Sequence, residues 1–249
     1  MTIPIAINVA HVEKRYGRVL ALDRCSVQIP ARRIVALVGP NGAGKTTLLQ
    51  VLFGLEKPDA GYVEVLGVSP MERPRELLPR VGFLAQDRPL YRGFTVADTL
   101  KFGRSLNPSW DDDLAHQWVN RLEIPLSRRL GQLSGGQQAQ IALLMVVAKR
   151  PHLLLLDEPV AGLDPLARQE FIGALLEMVH AHELTAVLSS HVVSELQQTC
   201  DHLVILSRGR VTLDGGIADL LGVHRMVDLE QLVLEYMSRD RTALRATPN

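Results

Sequence analysis

Cysteine is scarce in this chain of 249 residues: Cys25 and Cys200 stand far apart, and neither lies in a CxxC pattern. This argues against a disulfide framework and for two reduced thiols in a cytosolic setting. Net charge is also missing, because 27 Lys and Arg balance 27 Asp and Glu. No global attraction to nucleic acid or anionic lipid is expected. Long apolar runs are lacking as well. The longest, Ile141 to Ala148, is closed by Lys149, Arg150 and Pro151, well short of the roughly 20 residues that span a bilayer. The opening MTIPIAINVAHVEK has neither a basic start nor a continuous apolar stretch, so export of the chain itself is not expected. If the protein works at a membrane, a partner supplies the spanning helices.

What is present suits one substantial core, since 47% of the residues are hydrophobic. Ile5 to Ile29 reads as short strands with turns at Tyr16-Gly17 and Asp23-Arg24, closed by Pro30. A continuous apolar strand, Ile34 to Val38, runs into a Gly-rich loop, and Thr46 to Leu55 has helical spacing. Tyr62 to Val68 is hairpin-like, and Val81 to Ala85 reads as a further strand. Beyond Gln86, helical periodicity takes over in Val96 to Leu106, Asp111 to Leu122 and Gly136 to Lys149. Strand and helix signals then alternate again. They are a strand Leu153 to Leu156, a helix Pro165 to His182, a strand Thr185 to Ser189 and a helix Val192 to Cys200. A hairpin over Leu203 to Leu213 follows, with Gly209 in its turn. The order predicts an α/β fold with a helical lobe inserted into the core.

Two stretches carry most of the chemistry. Gly39, Pro40, Asn41, Gly42, Ala43, Gly44, Lys45, Thr46 and Thr47 match the phosphate loop pattern G-x-x-x-x-G-K-[ST] between a strand and a helix. Glycines there let backbone N–H groups converge on phosphate oxygens at a helix amino terminus. Lys45 is expected to reach the β and γ phosphates and Thr46 to bind Mg²⁺. The second stretch is Asp157 and Glu158, which follow four leucines and precede Pro159. At the carboxyl edge of a buried parallel strand, Asp157 suits an Mg²⁺ role through water, and Glu158 can polarise an attacking water. Read alone, the same acids could equally cap the next helix. Trp110 with Asp111, Asp112 and Asp113 reads as helix capping and solvated charge rather than a metal cluster. Lys149 and Arg150 read as a helix carboxyl end.

With Leu133 to Gln137 (LSGGQ) added, the chain resembles the ATP-binding subunits of ABC transporters over nearly its whole length. The resemblance implies one ATP-binding domain over residues 1–238. Its P-loop NTPase core covers about 1–86 and 150–238 and includes an antiparallel β subdomain; a helical lobe covers about 87–149, and a frayed tail 239–249. It implies that Tyr16 stacks on adenine, and that Gln86 senses Mg²⁺ and the γ phosphate. His191 matches the switch histidine, and Asp164 lies in the D-loop GLDP. Ser134, Gly135, Gly136 and Gln137 would cover the γ phosphate held by a second subunit. ATP would then join two subunits head to tail, as a homodimer or with a homologue, and hydrolysis would release them. One departure is the run Gln138, Ala139, Gln140, where many family members carry a basic residue.

LGV near Gly67, PLYRGFTVADTL after Gln86 and a short helical end resemble the ATPases of bacterial ABC-2 type exporters. This implies export of a drug, peptide or lipid-like substrate through a separate membrane permease, with the chain held at the inner face of the cell membrane. Tyr91 and Phe94 are the expected permease contact. The alternatives are a soluble ABC ATPase acting on ribosomes or DNA, and the ATPase of an importer. The balanced charge and the short segment between Gln86 and Leu133 speak against nucleic acid as a partner.

Overall fold

The computed structural model describes residues 4–191, 199–224, 226 and 228–245. The expected helix Val192 to Cys200 falls almost wholly outside them. The chain divides into two compact units, residues 1–77 with 185–249, and residues 78–184. The second unit is wider than the lobe expected over 87–149.

The first unit opens with two 12-residue strands, β1 (Ile5–Tyr16) and β2 (Val19–Pro30), joined through the turn at Gly17. The sequence suggested several short strands with a second turn at Asp23-Arg24. Instead, Arg24 and His11 adopt left-handed φ of 49° and 51° within the strands, and the register shifts between Val9 and Lys14. Bulges of this kind interrupt the alternation of a continuous strand and imitate a chain reversal in sequence. β3 (Ile34–Val38) is buried at every position. It leads into α1 (Lys45–Phe53), which ends at Gly54 in the left-handed conformation. β4 (Ala60–Val65) completes an antiparallel sheet ordered β2-β1-β4. The short α2 (Pro74–Leu77) follows.

In the second unit, β5 (Val81–Leu84) pairs in parallel with β6 (Leu153–Leu156), with Leu84 opposite Leu156. All four leucines of β6 are buried, which fits a strand covered on both faces. Between these strands lie α3 (Val96–Leu106), α4 (Asp112–Arg121) and α5 (Gly135–Val147), and α6 (Pro165–Ala181) follows β6. α5 packs on both α6 and β5. This packing draws the flanking strands and α6 into one unit with the lobe. Each of the four helices has its amino end capped by a side chain: Thr95, Asp111, Ser134 and Asp164. Such caps contribute about 1 kcal/mol each.

The chain then returns to the first unit. There β7 (Thr185–Ser190) and β8 (His202–Ser207) flank β3 in parallel, and β9 (Arg210–Gly216) runs antiparallel to β8. α7 (Ile217–His224) and α8 (Leu229–Arg245) close the chain. α8 runs past Arg239, where a frayed tail was expected to begin, because Leu, Arg and Ala sustain a helix despite the polar composition. No helix of the described residues is long and apolar enough to cross a membrane.

Candidate active site

In the first unit the loop from Gly39 to Gly44 joins buried β3 to α1. Gly44 occupies the position before the helix with φ 103°, and Gly42 has φ 77°. A Cβ at Gly39 would run into the carbonyl of Leu206, and one at Gly44 into that of Ala21. Close backbone approach therefore requires glycine at 39, positive φ favours it at 42, and both demands meet at 44. α1 carries no side-chain cap and no acid in its first turn. Its amino end thus keeps the partial positive charge that suits an anion. Lys45 is only 7% exposed and folds back over the loop, its Nζ donating to Gly39 O at 2.7 Å and Pro40 O at 3.4 Å. Thr46 is exposed and Thr47 half-buried.

Tyr16 lies at the end of β1 with 43% of its surface exposed. The Lys14 ammonium, paired with Glu56 at 2.9 Å, sits 5.2 Å from the ring centroid. Burial and the Glu56 carboxylate raise the phenol above the ordinary tyrosine value, against a hydrogen-bonding interaction with Thr47 that lowers it. His191 belongs to the same edge: Val38 pairs with Ser190, so Gly39 and His191 leave the sheet side by side. The imidazole is exposed. This unit thus collects Tyr16, the phosphate loop and His191.

The second unit collects the other residues. Leu84 pairs with Leu156, so the turn bearing Gln86 and the acids Asp157 and Glu158 leave the same edge of the β5/β6 pair. Asp157 is 2% exposed and donates its N–H to Leu84 O at 2.8 Å, and Glu158 is 8% exposed. Neither caps α6, because Asp164 does so, accepting from Ala167 N–H at 2.9 Å with Pro165 as the first helical residue. Capping therefore does not explain the acids at 157 and 158. Glu158 has φ 46°, a left-handed backbone that costs a non-glycine residue about 1–3 kcal/mol. Gln86 is exposed in its turn.

Ser134 and Gln137 form a reciprocal cap at the start of α5. The Ser134 Oγ accepts from Gln137 N–H at 3.2 Å, and the Gln137 Oε1 accepts from Ser134 N–H at 3.1 Å. Gly136 packs so close to α6 that a Cβ would lie 2.7 Å from that of Ala167, whereas nothing lies within 4 Å of one at Gly135. A groove of about 620 Å³ runs beside this turn, lined by Ser134, Gly136, Gln137, Asp164 and Glu170 among others. In the departing run, Gln138 donates to Leu133 O at 3.0 Å. Gln140 is 4% exposed, and its Oε1 has no hydrogen-bond partner among the described residues.

The remaining sequence features are structural. Asp111 caps α4 through Leu114 N–H at 2.9 Å and pairs with Arg150, and Asp112 pairs with Arg104 at 3.1 Å. Among the described residues, no group of His, Cys, Asp and Glu could hold a metal ion. Burial pushes the Cys25 thiol up to about 12 and raises that of Cys200, as expected of inert buried thiols. One residue passed over in the sequence is Arg88, whose Nη2 donates to Pro159 O at 2.9 Å and Ala161 O at 2.8 Å. No local pattern announces a link across some 70 residues of chain.

The family model described as ABC transporter matches residues 22–161, more than half of the chain. The chain belongs to the ABC transporter family. It is an ATP-binding subunit of that family, whose members hydrolyse ATP to power transport. A probable sulfate/thiosulfate import ATP-binding protein CysA from Chlorella vulgaris is 35% identical over 87% of this chain and 93% of its own length. Nod factor export ATP-binding protein I from Burkholderia lata is 36% identical over 85% of this chain and 71% of its own. The CysA subunit of Salmonella typhi matches at 33%, with 59% of its length covered. A solved structure of the ATP binding subunit of an ABC transporter superposes with a TM-score of 0.80 at 26% identity, covering 93% of this chain and 99% of that one. A nucleotide-free ATP-binding cassette from an ABC transporter shares the fold, with a TM-score of 0.75 at 23% identity. The expected architecture holds: an ABC ATPase of the α/β class.

Proposed function

We propose that this ABC subunit pairs head to tail with a second copy or a homologue around two ATP molecules, and that closure and release of the pair drive export through a separate permease. The carrying observation is the contrast between two helix amino ends. α1 is uncapped beside Lys45, whereas the signature turn of α5 is satisfied internally yet exposed at Ser134 and Gly135. The first suits a phosphate bound within the chain, the second a phosphate presented by another. Tyr16 stacks on adenine, and Lys45 neutralises the β and γ phosphates. Thr46, Gln86 and, through water, Asp157 would hold Mg²⁺, which when bound would supply charge neutralisation of the phosphates. Glu158 orients and polarises the attacking water, and His191 contacts the γ phosphate. Asp164, alongside its capping role, lies where the two subunits meet.

Tyr91, Phe94 and Phe102 stack on one another, with ring centroids 5.1 to 6.2 Å apart, and all three stay at least 37% exposed. We assign this patch to the permease, which also holds the subunit at the inner membrane face. The direction of transport rests on the exporter-like sequence around Gln86 and on the likeness to a Nod factor export subunit. Import is the second reading, supported by likeness to sulfate/thiosulfate import subunits. The decisive experiment on the ATP scheme uses Glu158→Gln. The variant is expected to lose turnover and to form an ATP-dependent dimer on size-exclusion chromatography. A variant that stays monomeric with ATP and retains full turnover overturns the scheme.

A further inference from the structure

Glu158 and Arg88 share a left-handed backbone, with φ of 46° and 45°. Conformations of this kind persist in non-glycine residues only where the surroundings over-determine them. Here the side chain of Arg88 helps to hold the turn in which Glu158 lies. Ala161 N–H donates to Glu158 O at 3.0 Å, closing the loop behind the carboxylate. From outside that loop, Arg88 Nη2 donates to Pro159 O and Ala161 O, the first and third residues after Glu158. Arg88 in turn closes the bend that carries Gln86, its own N–H donating to Ala85 O at 3.0 Å.

The guanidinium is an expensive clamp. Its Nε is buried with no hydrogen-bond partner, and no carboxylate pairs with it among the described residues. Its charge is directed at two carbonyls of one loop, and hydrogen bonds from a cation are about twice as strong as neutral ones. A residue serving only solubility would keep its head in water. A residue serving only the fold would ordinarily find a carboxylate.

We propose that Arg88 is a positioning residue for ATP hydrolysis, locking the Gln86 turn to the loop behind Glu158 so that the carboxylate is aimed only while that turn is in place. The proposal rests on the reading of Glu158 as the residue that polarises water. It gives the Gln86 turn a mechanical hold on the catalytic loop inside a single compact unit. Arg88 O also accepts from Leu90 N–H at 2.7 Å, immediately before the exposed Tyr91. A push on the aromatic patch therefore acts on a segment already tied to Glu158.

The test compares wild type, Arg88→Ala, Arg88→Lys and Glu158→Gln by steady-state ATPase assay, titration with a fluorescent ATP analogue, and thermal unfolding. Arg88→Ala is expected to bind the analogue within about twofold of wild type, while kcat falls about 10- to 100-fold at nearly constant KM, the scale of a misplaced reacting group. Arg88→Lys is expected to recover part of kcat, because an ammonium can reach both carbonyls without the planar fork. A folded Arg88→Ala with kcat within twofold of wild type overturns the proposal. Parallel loss of kcat and analogue binding, unrecovered in Arg88→Lys, also overturns it by showing a structural role alone. Full turnover in Glu158→Gln removes the reading beneath the proposal, whatever Arg88 variants do.

Discussion

Gly135 and Gly136 are adjacent in the first turn of α5, yet the folded chain has a use for only one of them. A methyl group at Gly136 would lie 2.7 Å from the Cβ of Ala167 and force the starts of α5 and α6 apart. Overpacking of this kind costs about 1–3 kcal/mol, or roughly 2–12 °C in Tm at about 2–4 °C per kcal/mol for a chain of this size. A methyl at Gly135 meets nothing within 4 Å, and Ala is favoured over Gly in a helix by up to about 1 kcal/mol. Gly135→Ala should therefore leave Tm unchanged or raise it by up to about 4 °C. Its effect belongs to the pair of subunits. If the first-turn N–H groups meet a partner's phosphate, each obstructed contact forfeits about 1.5–3 kcal/mol. Two symmetric sites double that to about 3–6 kcal/mol, weakening the dimer by roughly 10² to 10⁴-fold. Calorimetry gives the first quantity, and light scattering with ATP in a Glu158→Gln background gives the second. Undiminished dimerisation of Glu158→Gln/Gly135→Ala, or a Tm several degrees lower, refutes the reasoning.

Two further outcomes are expected. Lys149 donates to Leu78 O and Val81 O, each at 2.7 Å, and burial lowers its pKa to about 8. Between pH 8 and the unfolded value near 10.4 the unfolded chain binds the extra proton, so stability relative to Lys149→Met should rise with pH across that window and stay flat below it. Parallel urea midpoints at pH 7.5 and 9.5 contradict this. Replacing Tyr91 and Phe94 together by Ser should abolish copurification with the permease while ATP analogue binding persists, and retained copurification removes the patch from the interface.

The parts of the fold legible in sequence are those where one local force dominates. β3 and β6 are uninterrupted apolar runs ended by Gly39 and Asp157, and their bounds follow from that alone. β1 and β2 are not legible as long strands, because His11 and Arg24 break the alternation with left-handed backbone. α2 and α7 are four and eight residues long, too short for periodicity to show. At the site, the phosphate loop is readable because its glycines answer steric demands that few other residues meet. The capping role of Asp164 was available from the Asp-Pro pair at a helix start. The hold of Arg88 on the loop behind Glu158 was not, since a guanidinium donating to two main-chain carbonyls leaves no residue type to recognise at the far end.

If the nucleotide binds as proposed, the bare amino end of α1 makes it a structural component of the subunit. On the proposed reading, a phosphate does for α1 what Thr95 does for α3 and Ser134 for α5, since no side chain caps α1. The empty subunit is therefore a less finished protein than the loaded one, by an amount that grows with the logarithm of ligand concentration over Kd. Its resistance to proteases that sample opened states should therefore rise with the concentration of ATP around it.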